Sequence, residues 1–404
     1  MNDAVLVEAV RTPTGKRYGS LSGWHPVDLL AATFGSLVDR TGIDPALIDD
    51  VITGCVNQVG AQALNVGRSA VLAAGWPEHI PATTIDRQCG SSQQAAHFAA
   101  QAVMSGACDI VVACGVENMT LIPMRAQTAD PALGKPFGPL VDARYADETN
   151  FGVRGRINQG LAAELIAQRW GISRRDCDEF SARSHELAAK ATAEGRFDRE
   201  IVPVTGRRLD KETGASITDG LGQLSADEGI RPETTPERLA ALKPAFTPEG
   251  LITAGNSSQI SDGASAMLIM SGARAKDLDL RPRARFHTFA VVGVDPITML
   301  TGPIPATAKA LARSGLKSSD ISVFEVNEAF APVVLAWQKE HHVDMERVNP
   351  NGGAIALGHP LGASGGRLMS TMLHELERTG GRFGLQTMCE GGGMANATII
   401  ELLD

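Results

Sequence analysis

The chain has 404 residues, of which 43% are hydrophobic and 21% charged, the balance of an ordinary soluble globular protein with room for two or three domains. A net charge of −9, no Lys/Arg block and only 4% aromatics exclude a non-specific nucleic-acid binder, and no apolar run approaches a membrane span. The six cysteines, at 55, 89, 108, 114, 177 and 389, include no C-x-x-C pair, so neither a metal site nor a disulfide framework is expected and a reducing cytoplasm fits.

The amino-terminal stretch reads as a strand over Val5–Val10 running into a Thr-Pro-Thr-Gly turn, without the basic region and long apolar core of a signal peptide. An amphipathic helix is expected over Pro26–Arg40, a strand over Asp50–Cys55 and a helix over Asn65–Ala74. Asp109–Gly115 reads as a buried strand, apolar through Ile110-Val111-Val112-Ala113-Cys114. Such alternation predicts an α/β sheet covered by helices on both faces. From Pro123 to Gly250 strand signals fade and turn residues accumulate. Two helices stand out there, Gly160–Trp170 and Arg174–Glu194, the second opened by Ser173. Their apolar faces make this segment an inserted loop domain, not a linker. The α/β pattern resumes at Leu251, with a turn at Thr253–Ser258, a helical start at Asp262 and a strand over Ala266–Met270. A second alternating series begins at Arg283–Gly293. The expected domains are 1–122 with 251–280, the inserted 123–250, and 281–404. The carboxyl end, Glu-Leu-Leu-Asp, is no peroxisomal tripeptide.

The series is organised around Thr83-Thr84-Ile85-Asp86-Arg87-Gln88-Cys89-Gly90-Ser91. A short β-branched run meets a Cys-Gly turn, and a helix follows from Ser91 to Ser105, stopped by Gly106. Free N–H groups at a helix start favour a thiolate. Position alone leaves two readings of Cys89, a nucleophile or a small buried hydrophobe. The second series repeats the first. Gly42-Ile43 to Asp50-Val51-Ile52 parallels Gly315-Leu316 to Asp320-Ile321-Ser322, and the helix ending at Gly106 parallels the one ending at Gly380. That offset sets Ala363 opposite Cys89, so the corner exists twice and one copy carries a thiol.

The second half gathers unusual residues at strand ends. Asn327 and Glu328 follow a strand, His359 sits in a Gly-Pro turn, and Cys389 precedes Glu390-Gly391-Gly392-Gly393. Singly, Asn327 reads more readily as a cap, and His359 as a structural histidine, than as catalytic groups. The glycines are no Walker loop, since His359 stands where Lys is needed, and no dinucleotide G-x-G-x-x-G follows a strand. Together, a Cys at a helix start, a His and a second Cys beside glycines are the parts of acyl transfer through a thioester.

Along its whole length the chain resembles the thiolase family, through Cys89-Gly-Ser, Thr253-Ala-Gly-Asn-Ser-Ser, Asn327-Glu-Ala-Phe, Gly358-His-Pro-Leu-Gly and Cys389-Glu-Gly-Gly-Gly. The resemblance implies two duplicated βαβαβαββ domains packed in α-β-α-β-α layers, with an inserted loop domain. It also implies a CoA-dependent acyltransferase, with coenzyme A as co-substrate and no tightly bound cofactor, that cleaves 3-ketoacyl-CoA to acetyl-CoA and a shortened acyl-CoA. By resemblance His359 activates Cys89, Cys389 moves the α-proton, and Asn327 with a water and His359 forms one oxyanion hole. The N–H groups of Cys89 and Gly391 form the other. Ser258 and Arg231 are implied in holding CoA, with Phe246, Met299, Ala329 and Phe330 along the pantetheine and acyl path. For Arg231 an exposed surface arginine, and for Phe246 and Met299 core packing, are the competing readings. The family implies a homodimer or homotetramer.

The chain departs from many relatives in Ser92-Gln93-Gln94, in Ser257-Ser258-Gln259-Ile260, and in Asn158-Gln159, which aligns with a His-Met pair of short-chain biosynthetic members. These variants resemble an actinobacterial subgroup that breaks down fatty or steroid-derived acyl-CoA. The alternatives are a biosynthetic acetoacetyl-CoA thiolase, a ketoacyl-synthase-like condensing enzyme, and a non-catalytic CoA- or lipid-binding member. Cys389 argues against the condensing enzyme, and the presence of Cys89, His359 and Cys389 against the binding protein. A Cys–His pair at a helix start is also expected to hold the thiol below its ordinary pKa.

Overall fold

Strands that are apolar on both faces need cover on both sides, and that need organises the chain. The computed structural model describes residues 3–146, 149–150, 153–154 and 157–403. In the first half β1 (Ala4–Arg11), β2 (Asp50–Gly54), β3 (Ala82–Ile85), β4 (Ile110–Asn118) and β5 (Ser261–Ser271) alternate with α1 (Pro26–Thr41), α2 (Val66–Ala73) and α3 (Ser91–Ser105). The segment between β4 and β5 adds α4 (Gln159–Arg169) and α5 (Arg174–Ala193). In the second half β6 (Ala284–Gly293), β7 (Ile321–Val326), β8 (Phe383–Glu390) and β9 (Met394–Leu402) alternate with α6 (Pro303–Ser314), α7 (Ala331–His341) and α8 (Ser364–Thr379).

The main sheet runs β7-β8-β9-β6-β1-β5-β4-β2-β3. Its halves meet at one short antiparallel contact, Val5↔Arg285 and Leu6↔Ala284. Outward from that seam the two sides match. Inner neighbours are antiparallel and outer neighbours parallel on each. The counterpart of β3 shrinks to a single parallel bridge, Phe324↔Val348. The duplication expected from the sequence is therefore present as two βαβαβαββ units.

Helices α3 and α8 form the middle layer. Small residues of α3 (Ala95, Ala99, Ala100) pack with Met369, Met372 and Leu373 of α8, between strands of both halves. Alanine lets α3 approach closely, and each buried Met or Leu contributes roughly 1.5–3 kcal/mol. Leu29, Leu30 and Phe34 of α1 cover the outer face of the first half. Ala306 of α6 and Val333 and Trp337 of α7 cover the second, sharing one core with Ala162 and Ile166 of α4 and Phe180 of α5. The middle helices stop alike, at Gly106 (φ 77°) and Gly380 (φ 69°), a left-handed position suited to glycine.

One local expectation fails. Asp262 starts no helix, because β5 runs unbroken from Ser261 to Ser271 and is buried throughout. Its carboxylate accepts from Thr120 N (2.9 Å) and Thr120 Oγ1 (2.7 Å), so the polar group is satisfied inside the sheet. Among the described residues no helix is long and apolar enough to cross a membrane.

Candidate active site

The corner before α3 is built by its own short-range bonds. Gln88 takes a left-handed φ of 50°, costly for a residue with a side chain. Asp86 Oδ1 accepts from Gln88 N at 2.6 Å. Ser91 Oγ accepts from Arg87 N at 2.9 Å and donates to Gln88 O at 2.6 Å. These bonds hold Cys89 one residue before Gly90, the uncapped start of α3.

Cys89 is 5% exposed. Burial, with Glu390 nearby, pushes its thiol up to about 12, against the pull of the N–H groups of Cys89 and Gly391. This reverses the expectation of a lowered thiol: desolvation outweighs the helix start.

His359 is also buried, after Gly358 at φ 94°. Its Nδ1 lies 2.6 Å from Ser364 Oγ, and that hydroxyl donates to Pro360 O at 2.8 Å. The serine proton is thus committed, so Nδ1 carries the imidazole hydrogen and Nε2 is left as a base. Nε2 faces Asn327 Nδ2 at 3.5 Å. Burial, then the charge of Arg367, pulls the imidazole down to about 3. Cys389 is fully buried, and burial followed by the charges of Cys89 and Glu390 raises its thiol well above the ordinary value. Asn327, close to Cys389, opposes that rise. Cys89, Cys389, Asn327 and His359 therefore form one connected buried group, although Cys89 and His359 share no direct hydrogen bond among the described residues. Both thiols and the imidazole rest neutral, an arrangement that moves protons during reaction and stores no charge beforehand.

Gly391 is crowded. A Cβ added there would stand 2.9 Å from Gln88 Oε1 and 3.4 Å from Gln159 Nε2. Gln159, the first residue of α4, thus brings the inserted segment to the site, while Asn158 caps that helix through Gly160 N (2.9 Å) and Leu161 N (3.2 Å). Ser258 N donates to Ala329 O at 2.9 Å, and Phe246 meets Phe330 edge-on with ring centroids 6.0 Å apart. Phe246, Asn158, Leu161 and Leu251 line a cavity of about 830 Å³. Met299 is buried in the core with Ala329 and Phe330, and Arg231 is exposed with its N–H on His185 Nδ1 (3.1 Å). Among the described residues no three His, Cys, Asp or Glu side chains gather as a metal site.

The unusual Ser92-Gln93 braces the two halves. Ser92 Oγ accepts from Gly366 N at 2.9 Å, and Gln93 Nε2 donates to Thr398 Oγ1 at 2.7 Å. Sequence reasoning missed Ser364, Gln88 and the buried Glu390 and Arg367. A serine five residues after His359, and a charge inside an apolar strand at Glu390, were available signals; Gln88 had none. Gln159 stands out in the sequence, with Asn158, as a departure from many relatives.

Comparison with known proteins follows this geometry. The sequence models described as "Thiolase, N-terminal domain" and "Thiolase, C-terminal domain" match residues 4–273 and 280–402. A steroid 3-ketoacyl-CoA thiolase from Mycobacterium tuberculosis is 51% identical over 411 residues, covering 100% of this chain and 95% of that protein. A 3-ketoacyl-CoA thiolase from Pseudoalteromonas translucida is 46% identical, covering 99% of each. Among solved structures, the Bacillus anthracis acetyl-CoA acetyltransferase superposes with TM-score 0.87 at 38% identity, covering 100% of this chain and 99% of that one. Human mitochondrial 3-ketoacyl-CoA thiolase gives TM-score 0.87 at 34%, with the same coverage.

Proposed function

The chain belongs to the thiolase family, and we propose that it carries out thiolytic cleavage of 3-ketoacyl-CoA, as an acyltransferase, through a thioester on Cys89. The observation that carries the assignment of residues is the single buried group of Cys89, Cys389, Asn327 and His359. His359 Nε2 takes the Cys89 proton as sulfur attacks the 3-keto carbonyl. The bond between C2 and C3 then breaks, and its electron pair becomes the enolate of acetyl-CoA. Cys389 protonates that carbon. A free CoA thiol gives its proton to the Cys389 thiolate and attacks the Cys89 thioester; Cys89 leaves, recovers its proton from His359, and the shortened acyl-CoA is released. The N–H groups of Cys89 and Gly391 receive the oxyanion at the thioester carbon. Asn327, through a water and with His359, receives the enolate oxygen. The two oxyanions arise on different carbonyls, so two sets of donors are needed.

CoA is held by Ser258, Arg231, Phe246, Met299, Ala329 and Phe330 in this reading. Ser258 and Phe246, each tied to the Ala329–Phe330 turn, support it best. The cavity beside Phe246, about 830 Å³, is where this reading seats part of the CoA thioester. The mycobacterial relative, named for a steroid thioester, supports a bulky acyl chain. A cytoplasmic homodimer or homotetramer, with domains at 1–122 and 251–280, 123–250 and 281–404, completes the reading. Mass spectrometry after brief exposure to an acyl-CoA tests it. An acyl group on Cys89 is expected, and an adduct elsewhere, or none, defeats it.

A further inference from the structure

Glu390 is a carboxyl group that the reaction above does not use. It ends β8 in Cys389-Glu390-Gly391, pairs with Met394 at the start of β9, and is 0% exposed. Among the described residues neither of its oxygens has a hydrogen-bond partner. A charge buried without donors is very unfavourable. A second orphan is Asn396 Oδ1, also buried and without a donor among the described residues. Gly90 brings the two together. A Cβ there would overlap Glu390 Oε1 and stand 3.0 Å from Asn396 Oδ1. Asn396 Nδ2 is committed to Gly90 O at 3.1 Å, the same carbonyl that accepts from Gln94 N at 2.8 Å to open α3. A hydrogen kept on Glu390 removes the buried charge and offers Asn396 Oδ1 a donor.

We propose that Glu390 is a positioning residue that keeps its proton while the enzyme works, steadying the Cys89 corner through Asn396 and Gly90, and that loss of this proton sets a negative charge beside Cys89 and closes the alkaline side of its reactivity. The inference rests on Cys89 being the nucleophile. Burial holds the Glu390 carboxyl up to about 8, with Arg87 opposing and Asp86 adding to the rise. The titratable and charged groups facing it are half-buried Arg87 and exposed Asp86 from the turn, and the thiols of Cys89 and Cys389. Arg87 is the one cation among them, and its Nη1 also contacts Met394 Sδ at 4.0 Å. When Glu390 ionises, its charge opposes a thiolate at Cys89. The sign is therefore unusual: rising pH, which normally favours a thiolate, here also adds a charge that resists it.

Two measurements test this on the full-length protein. The first is the infrared difference spectrum between wild type and Glu390→Gln as pH rises. A protonated-carboxyl C=O band should be present in wild type at neutral pH, fade through about pH 8, and be missing from the variant. The second is the rate of iodoacetamide alkylation at Cys89, followed by peptide mass spectrometry. Above about pH 9 the variant should react about tenfold faster than wild type, the change that one unit of thiol shift produces. Superimposable alkylation profiles, or the lack of a protonated band at neutral pH, overturn the proposal. Should Glu390→Gln fail to fold, the titration of the wild-type band decides alone. The band is read without acyl transfer, so failure of the Cys89 thioester and failure of this proposal are separate results.

Discussion

The corner at Cys89 and the corner at Ala363 are the same piece of architecture, and in the proposed mechanism they serve opposite ends of one proton transfer. Each opens a middle-layer helix, and each has a serine as first helical residue. Ser91 Oγ donates to Gln88 O (2.6 Å), and Ser364 Oγ to Pro360 O (2.8 Å). The first corner spends its serine on its own strained backbone, accepting from Arg87 N. The second spends it on His359 Nδ1. Counted from the Gly stops of the two helices, Ala363, 1% exposed, stands where the first corner has its thiol; counted from the two serines, Gly362 does. The helix starts touch: a Cβ on Gly365 would collide with the backbone of Gln93, and one on Gly54 with Ser92 N and Gly362 O. The lesson is that duplication supplied two helix starts at one point, and side-chain choice set a thiol at one and mounted a histidine on the other.

The largest effects come from disarming the first corner. Cys89→Ala should lower thiolysis by at least about 10⁴-fold and leave no acyl adduct. Placing the thiol in the mate corner, as Cys89→Ala with Ala363→Cys, should not restore activity, because the N–H groups of residues 89 and 391 that would receive the oxyanion stay at the first corner. Recovery of an adduct at 363 would show the two corners to be interchangeable. Next comes the residue that separates thiolytic from synthase-like chemistry. Cys389→Ala should cut turnover by about 10²–10⁴-fold while Cys89 still takes an acyl group from acyl-CoA. Intact turnover would remove Cys389 from the reaction.

How far these corners were readable depends on the range of the signals. The Gly stops, the β-branched run and the helix after Cys89 are local, so the duplicated pattern and the first corner were legible. So were Cys89, Asn327, His359 and Cys389, as residues gathered at strand ends, although their contact was not. The reduction of one strand to a bridge at Val348 was not legible, because that strand survives only through pairing with Phe324. Asp262 misled because a carboxylate before an apolar run looks like a helix start. Only Thr120, distant in sequence, makes it a sheet residue. The thiol pKa was misjudged for a similar reason: the helix start is visible in the sequence, but the burial that outweighs it is a property of the assembled layers. Met299 and Arg231 show the same limit, since core packing and surface exposure decide how each is placed.

Exchanging the two serines for alanine separates the corners more finely. Ser364→Ala removes the partner of His359 Nδ1 and frees the ring to turn. A fall of about tenfold in kcat, with a smaller loss of stability, is expected, since one hydrogen bond to a buried ring is worth about 1–2 kcal/mol. Ser91→Ala removes an acceptor for Arg87 N and a donor to Gln88 O, so stability should fall first, by about 1–3 kcal/mol. Urea unfolding beside steady-state kinetics reads both. Equal patterns for the two variants would contradict the division of labour between the corners.

The smallest effect concerns a histidine of the first corner's helix. His97 is buried, with Nε2 on Thr398 Oγ1 at 2.6 Å, and burial pulls its imidazole down to about 3. Unfolded, it titrates near about 6.5. As pH falls below that value the unfolded chain takes up a proton that the folded chain refuses, so the stability present above it drains away towards the folded value. His359, on the other corner, has the same sign, with its imidazole also at about 3. His97→Gln keeps a donor for Thr398 and removes one such proton. Its unfolding free energy should therefore fall less steeply than that of wild type between about pH 6 and pH 4. An unchanged slope in urea titrations across that range would mean that His97 is already protonated in the folded protein, and that the middle layer admits more water than its packing indicates.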